Sequence, residues 1–546
     1  MCGISVLCGF SEETSVTMLE NLAARGPDDT ALEVVPYYGG NGFPVIIGFT
    51  LLAVQGAEYN QRPAQEQPYA IGSERRRLVM CNGEIYNSKE LFLQENIQDD
   101  ERLSDCSIVP ELLKKGYGHR NVCRLLDGDF AIVDLDIDEG TITLMRDPYG
   151  VRPLFFAYYG PGQWGVSSEL KGLPQGALRV DTIIPGSVHQ LYLDGTTVFI
   201  EIWHQTPWLK AIPETLSVET AAALVRSSLT EAVKKRLAVG RNRSIGACLS
   251  GGLDSSLVAA IASRLIFPER LHTFSVGMEG SEDLLHARIV SQHINSIHHE
   301  LVLDSNICLQ QIPKVIGAIE SCDVTTVRAS VGNYNVGLLA KEFNQEADGT
   351  NIRVLLNGDG ADELFCGYLY MKAAPDDNAS EIETTSLLEN LHYFDVLRSE
   401  RCMAANGLES RSPFLDRQLV SLVRSLPTRM VRNAPGVAEK HLLRKAFETS
   451  GLLPERILWR RKEAFSDGMS GADSLVDRNK SWYAICREVA VKEVGEPVET
   501  AERRWYHKIL RKTLDAAAVM CATPHYWMPK FVENATDPSA RTLAAY

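Results

Sequence analysis

The chain has 546 residues, 45% of them apolar, with 55 Lys and Arg against 70 Asp and Glu and a formal net charge of −15. That length calls for at least two domains, and the acidic balance argues against non-specific attraction to nucleic acid or an anionic membrane surface. No apolar run reaches bilayer-spanning length and no basic-then-apolar leader opens the chain. The 12 cysteines form no CxxC pair or ligand cluster, which predicts reduced, mostly buried thiols, a cytoplasmic compartment and no zinc site.

The chain opens Met1-Cys2-Gly3-Ile4. A small residue at position 2 favours removal of the methionine, which would leave Cys2 with both a thiol and a free α-amine. That amine titrates near neutrality and can serve as base for its own thiol. A cysteine at position 2 is common, so its company matters: Arg25-Gly26-Pro27-Asp28 and Asn82-Gly83-Glu84-Ile85-Tyr86-Asn87 follow. Asn82 comes straight after a strand. Its side-chain amide and the backbone N–H of Gly83 could form an oxyanion hole, each donor contributing about 3 kcal/mol.

Strands are predicted at 78–81, 130–135 and 141–145, the last two joined through Asp138-Glu139-Gly140 as a hairpin. The first 200 residues therefore read as an antiparallel α+β domain. The pattern breaks between Trp203 and Pro213, with Pro207 inside a linker. Beyond it helices alternate with apolar strands. Strands are expected at 244–249, 271–276, 299–303 and 352–356, and helices at 257–262 and 282–294, as in a parallel sheet covered on both faces. Residues beyond about 480 are helical and charged and read as an appended bundle with a loose tail.

Within that second half, Ser250-Gly251-Gly252-Leu253-Asp254-Ser255-Ser256 lies between a strand and a helix. Unpaired N–H groups at a helix start, glycines that admit close approach and hydroxyl donors suit a phosphate or pyrophosphate, and Asp254 could hold its divalent cation. Asn357-Gly358-Asp359-Gly360-Ala361-Asp362-Glu363 repeats the strand–loop–helix arrangement with three carboxylates, which a bridging Mg²⁺ would rationalise. Lys462 could stabilise charge on a transferring phosphoryl group, although basic residues at a helix end are more often simply solvated. Thr325, Thr326 and Arg328 could grip a carboxylate substrate, and Arg328 reads equally well as a surface arginine.

These segments together resemble glutamine-dependent asparagine synthetases along essentially the whole chain. Ser104-Asp105-Cys106, Arg146-Asp147-Pro148-Tyr149-Gly150, Arg411-Ser412-Pro413-Phe414-Leu415-Asp416 and the stretch 461–468 match as well. The resemblance implies a class II glutamine amidotransferase domain at 1–204, with the αββα sandwich of N-terminal-nucleophile enzymes. It implies an α/β domain at 214–546, with the parallel sheet of the adenine nucleotide alpha hydrolase-like fold. Cys2 would be the nucleophile, Asn82 and Gly83 the oxyanion donors, and Asn82, Glu84 and Asp105 the glutamine-binding residues. ATP would contact Leu249, Ser250, Gly251, Gly252, Asp254, Ser255, Ser256, Val276, Asn357 and Gly358, with Mg²⁺ on Asp254 and Asp362. Thr325, Thr326 and Arg328 would bind aspartate or its adenylate, and Asp359 and Lys462 would act in catalysis. The substrates implied are glutamine or ammonia, aspartate and ATP, with no nucleic-acid or membrane partner; a homodimer is one assembly open to such a chain.

Three positions depart from the family pattern. Gly48-Phe49-Thr50-Leu51 stands where the family has a His-Glu-Arg-Leu type segment, so the arginine that grips the glutamine carboxylate is missing, with Arg62 the nearest substitute. Asp359 replaces a glutamate, and Ala361 removes a hydroxyl from the same loop. A proton acceptor displaced by about 1 Å can cost on the order of 100-fold in rate. Two further readings follow from these changes: a related ligase acting on another acid, as in β-lactam closure, and a degenerate, non-catalytic member. Cys2 and the Asn82 segment argue against the first.

Overall fold

The computed structural model describes residues 1–36, 44–56, 67–100, 102–205, 215–240, 243–346, 351–432, 436–532 and 537–538. Arg62 and the linker prolines Pro207 and Pro213 lie outside them.

The first 202 residues build two six-stranded antiparallel sheets. One runs, in spatial order, Arg179–Thr182, Phe155–Gly160, Gln163–Ser167, Gly3–Cys8, Val45–Leu51 and Asp29–Val35. The other runs Thr197–Ile202, Ser187–Tyr192, Thr141–Arg146, Gly128–Asp136, Arg77–Ile85 and Tyr69–Ile71. Period-two alternation decides which side chains meet. Ile4, Val6 and Cys8 of the first sheet face Leu78, Met80, Ala131 and Val133 of the second in a core between the sheets. The neighbours Val79, Cys81, Phe130 and Ile132 turn outward, onto Leu91, Phe92, Ile108 and Leu112 of the covering helices. Helix Glu12–Glu20 covers the outer face of the first sheet. The layers are therefore helix, sheet, sheet and helix, and all the strands expected in this half are present, including the hairpin that pairs Ala131 with Arg146 through Asp136 with Thr141.

Trp203 packs into this domain at its C-terminal edge. Its indole is buried, stacks on Phe130 at 6.1 Å and donates to the carbonyl of Arg146 at 3.2 Å.

The second half forms a five-stranded parallel sheet in the order Ile297–Leu303, His272–Met278, Ser244–Cys248, Ile352–Leu356 and Glu409–Arg411. The winding starts at Ser244–Cys248, runs outward one way, then returns to place Ile352–Leu356 on the other side. The strand order thus reverses between these two neighbours, and a crevice opens there beyond their carboxyl ends. The loops that follow both strands are the two glycine–carboxylate segments singled out in the sequence. Apolar side chains fill both faces, with Phe274, Val276, Val327 and Val331 in one cluster and Ala247, Leu257, Leu356 and Phe414 in the other.

The C-terminal helices Trp482–Val494, Val498–Leu510 and Ala516–Ala522 are not an appended bundle. Trp482, Tyr506 and Leu510 are fully buried in the same cluster as Val327. Apart from the buried Glu502, charged residues such as Lys492, Arg503 and Arg504 lie toward the outer faces, which is why composition suggested a separate body.

No helix among the described residues is long and apolar enough to cross a membrane. All 12 cysteines are free and 10 of them are buried.

Gly26 lies tight against the backbone of a neighbouring strand end in the first domain. A Cβ there would lie 2.3 Å from the carbonyl carbon of Thr50 and 2.4 Å from the nitrogen of Leu51. Neither backbone atom can yield cheaply, so Gly26→Ala should cost about 1–3 kcal/mol, seen as a lower denaturation midpoint by circular dichroism.

Candidate functional site

Two separate clusters of chemistry-bearing side chains emerge. In the first, strand Gly3–Cys8 places Cys2 at the end of one sheet and strand Arg77–Ile85 brings Asn82 to it from the other. Asn82 is fully buried, and its Oδ1 accepts the Cys2 N–H at 3.0 Å. Its Nδ2 has no partner among the described residues. A buried amide donor left unmatched is costly, and it points to a ligand oxygen that completes it. Gly83 has no room for a side chain: a Cβ would lie 2.3 Å from the carbonyl oxygen of Asp129.

Glu84 and Asp105 lie on the same strand end and the turn against it, Glu84 buried and Asp105 half-buried. Asp105 accepts the backbone N–H of Ile85, and burial pushes its pKa up to about 7. Burial also raises Glu84 well above the usual carboxylate range, opposed by Arg411 at 3.0 Å. Gln55 donates to the same Glu84 oxygen at 3.1 Å. Arg411 comes from the second half of the chain. It sat in a matched motif, yet nothing in its sequence context said which carboxylate it would reach.

Thr50 is packed rather than exposed to this cluster. Its hydroxyl donates to the carbonyl of Leu22 at 3.3 Å and leaves no space beside Gly3, so no guanidinium stands at that position.

Met1 is buried against Arg152 at the boundary between the halves, and burial lowers its amine to about 6.

The second cluster surrounds a cavity of about 220 Å³ at the switch point of the parallel sheet. Leu249, Ser250, Gly252, Asp254, Ser255, Val276, Asn357, Gly358, Asp359, Asp362 and Lys462 line it, as do Thr325 and Thr326. Helix Leu253–Ile266 starts at the Ser250 loop. Ser250 and Ser255 share a hydroxyl–hydroxyl bond of 3.0 Å, and the Ser250 Oγ accepts the Gly252 N–H at 3.3 Å. Gly251, with φ +71°, needs the left-handed region. It and Ser256 support the loop from behind, and neither lines the cavity.

Lys440, overlooked in the sequence, sits between the two loops with its side chain 1% exposed. It donates to Asp254 and lies 2.7 Å from Asp362, which Lys462 also reaches at 2.6 Å. Burial alone would raise Asp362; the two ammonium groups win and hold its pKa well below the ordinary range. Lys440 precedes helix His441–Phe447 in the left-handed region, with φ 54°, and no motif around it marked it in the sequence.

Asp359 is raised to about 6 by burial, with Arg398 3.7 Å away opposing. Its Oδ2 has no partner among the described residues. Glu363 is raised to about 8 for the same reason, with Asp395 adding to it, and it accepts from Tyr368 at 2.5 Å.

Arg328 differs from its expected place. Its guanidinium is fully enclosed by Glu502 at 2.8 and 2.5 Å and Asp537 at 3.0 and 2.9 Å, and it does not line the cavity. It ties the helix that carries Thr325 and Thr326 to the C-terminal segment. Four of the five N–H donors of the guanidinium are thus taken by the two carboxylates, which leaves no bidentate edge for a substrate carboxylate.

A helix–sheet–sheet–helix domain that begins at Cys2, joined to a parallel-sheet α/β domain, is the build of a glutamine-dependent amidotransferase. The comparisons agree. Residues 1–200 match the glutamine amidotransferase domain model, and residues 224–386 and 373–519 match the asparagine synthase model. The chain is 39% identical over 588 aligned positions to a glutamine-hydrolyzing asparagine synthetase of Gallus gallus, covering 100% of this chain and 99% of that protein. The identity is 39% over 586 positions to the protein of that name from Rattus norvegicus and 38% over 586 to that from Homo sapiens, with the same coverage. The chain belongs to the asparagine synthase family.

Gly358 holds the two anion-facing loops in contact, since a Cβ there would lie 2.8 Å from both the Cβ of Asp254 and the nitrogen of Ser255. Gly358→Ala should therefore weaken ATP binding about tenfold or more, measured by titration calorimetry.

Proposed function

We propose that this protein makes asparagine from aspartate and ATP, with glutamine as nitrogen donor. The observation that carries the reading is Asn82: one side-chain oxygen on the Cys2 amide and a buried, unmatched NH₂ beside the thiol. In a cell this chemistry belongs to the cytoplasm.

Once Met1 is removed, the Cys2 amine takes the proton of the adjacent thiol. The thiolate attacks the side-chain amide carbon of glutamine. Asn82 Nδ2 and the Gly83 N–H bind the oxygen that becomes negative. The C–N bond breaks, the leaving nitrogen takes the proton and departs as ammonia, and water later hydrolyses the thioester to glutamate. Asp105 and Glu84 hold the α-ammonium of glutamine.

In the second domain, the Ser250 loop and the start of its helix bind the triphosphate. The β-carboxylate of aspartate attacks the α-phosphorus and pyrophosphate leaves, giving β-aspartyl-AMP. Ammonia then attacks the acyl carbon, AMP leaves, and asparagine forms. Lys440 and Lys462 stabilise the charge that builds on pyrophosphate. Asp359, raised toward neutrality, accepts the proton that ammonia sheds. Thr325 and Thr326 hold aspartate, and Arg328 acts behind them as an anchor.

Asp254 and Asp362 fit a magnesium ion. They are hard oxygen donors facing one cleft, and Asp254 Oδ1 is buried with no hydrogen-bond partner among the described residues. When bound, the ion would neutralise phosphate oxygens and make the α-phosphorus more electrophilic.

The test uses labelled glutamine, aspartate and ATP with products read by mass. Cys2→Ala should lose asparagine labelled from glutamine and keep synthesis from added ammonia within about threefold. Loss of both activities would end the proposed division between the domains.

Only the ionised form of Asp105 pairs with an ammonium group, and its pKa lies at about 7. Affinity for glutamine should therefore fall as pH drops. The KM for glutamate release should rise about tenfold between pH 8 and pH 6, and Asp105→Asn should flatten that profile.

A further inference from the structure

Arg25 has no part in the chemistry above, although it sits within a sequence motif that matches the family. Its side chain is 1% exposed. Its Nε donates to the carbonyl oxygen of Cys2 at 2.8 Å. Its Nη1 donates to Glu169 at 2.6 Å and approaches Glu400 at 3.4 Å, and Nη2 donates to the other Glu400 oxygen. One planar guanidinium therefore holds the backbone of the nucleophile with one edge and two buried carboxylates with the rest.

Glu400 comes from the other half of the chain, on helix Asp395–Ala404. Its neighbour Arg401 pairs with Glu169 at 3.1 Å and Glu320 at 3.2 Å, and Lys171 meets the remaining oxygen of Glu169 at 2.5 Å. Arg25, Arg401 and Lys171 thus balance Glu169, Glu400 and Glu320, so each member has a fixed partner. Two residues before Glu400 the same helix carries Arg398, which pairs with Asp395 at 2.9 Å and stands 3.7 Å from Asp359 in the second cleft.

From this geometry we infer that Glu400 is a positioning residue for glutamine hydrolysis: through Arg25 the synthetase half orients the carbonyl of Cys2, and with it the attacking sulfur. This rests on the reading of Cys2 as the nucleophile. Glu400 touches neither substrate nor the reacting atoms. Its neutral analogue, glutamine, keeps the shape of the side chain but removes the charge that fixes the guanidinium and replaces one of the two oxygens that accept from Arg25 with a donating NH₂. Arg25 would then be free to swing toward Glu169, and the hold on the Cys2 backbone would loosen. A nucleophile displaced by a fraction of an ångström loses turnover while glutamine binding, which depends on other residues, persists.

The experiment compares glutamate release from glutamine with asparagine formation from ammonia in the full chain. Glu400→Gln should lower kcat for glutamate release about 30-fold, leave its KM within about threefold and leave ammonia-dependent synthesis within about threefold. Glu400→Asp, which retains the charge, should recover part of the lost kcat. Should Glu400→Gln fail to fold, Arg25→Lys is measured the same way and should show the same split, because an ammonium group cannot hold the Cys2 carbonyl and Glu400 at once. A glutamate-release kcat within twofold of wild type would overturn the assignment. So would equal loss of both activities, which marks a role in stability alone. A wild-type chain that releases no glutamate from glutamine would refute the reading of Cys2 and is told apart by that control.

Discussion

A charge taken out of water must meet its opposite, and this requirement joins the two halves of the molecule. Arg25, Arg152, Arg236, Arg401 and Arg411 are all fully buried. Each finds a carboxylate across the boundary: Arg25 on Glu400, Arg152 on Glu409, Arg236 on Asp129, Arg401 on Glu169 and Arg411 on Glu84. Arg353 on Asp28 and Lys235 on Asp127 add partly buried pairs at the edge. Removing one member of a buried pair costs about 3–5 kcal/mol, because it strands the other charge. Apolar surfaces could slide over one another at little cost; these pairs fix register and orientation.

The local chemistry of both sites was legible in the sequence, because it depends on short-range rules. Glycine turns between an apolar strand and a helix announce an anion site, and Ser250 and Asn357 do begin loops at the carboxyl ends of adjacent strands. Alternation fixed the strands at 77–85, 128–136 and 141–146 to within a few residues. What could not be read were partners far apart in the chain. Lys440 reaches Asp254 across 186 residues, and Arg411 reaches Glu84 from another domain. Arg328 failed for the same reason: a guanidinium beside two threonines looks like a substrate clamp until Glu502 and Asp537 come into view. The C-terminal helices misled because their charged outer faces dominate composition, whereas Trp482 and Tyr506 decide where they pack.

The substituted positions read differently once their surroundings are known. Thr50 fits a narrow space between Gly3 and Leu22. Asp359 keeps the features a proton acceptor needs, namely a place in the cavity lining, a pKa raised to about 6 and an oxygen without a hydrogen-bond partner among the described residues. Its shorter reach leaves the chemistry possible and the distance to the attacking nitrogen as the variable.

The nucleotide cleft carries its own counter-charges before any ligand arrives. Asp254 and Asp362, both half-buried, are matched by Lys440 and Lys462, so these two carboxylates do not stand unpaired in the cleft. On the function proposed above, a triphosphate entering this space would compete for both ammonium groups, and Asp254 and Asp362 would hold the divalent cation bound with it. Ion pairs would be exchanged rather than broken, so no charge would be stranded and the desolvation penalty of an empty acidic pocket would be avoided. Lys440 and Lys462 would then serve twice, as partners of the two carboxylates at rest and as partners of the departing pyrophosphate.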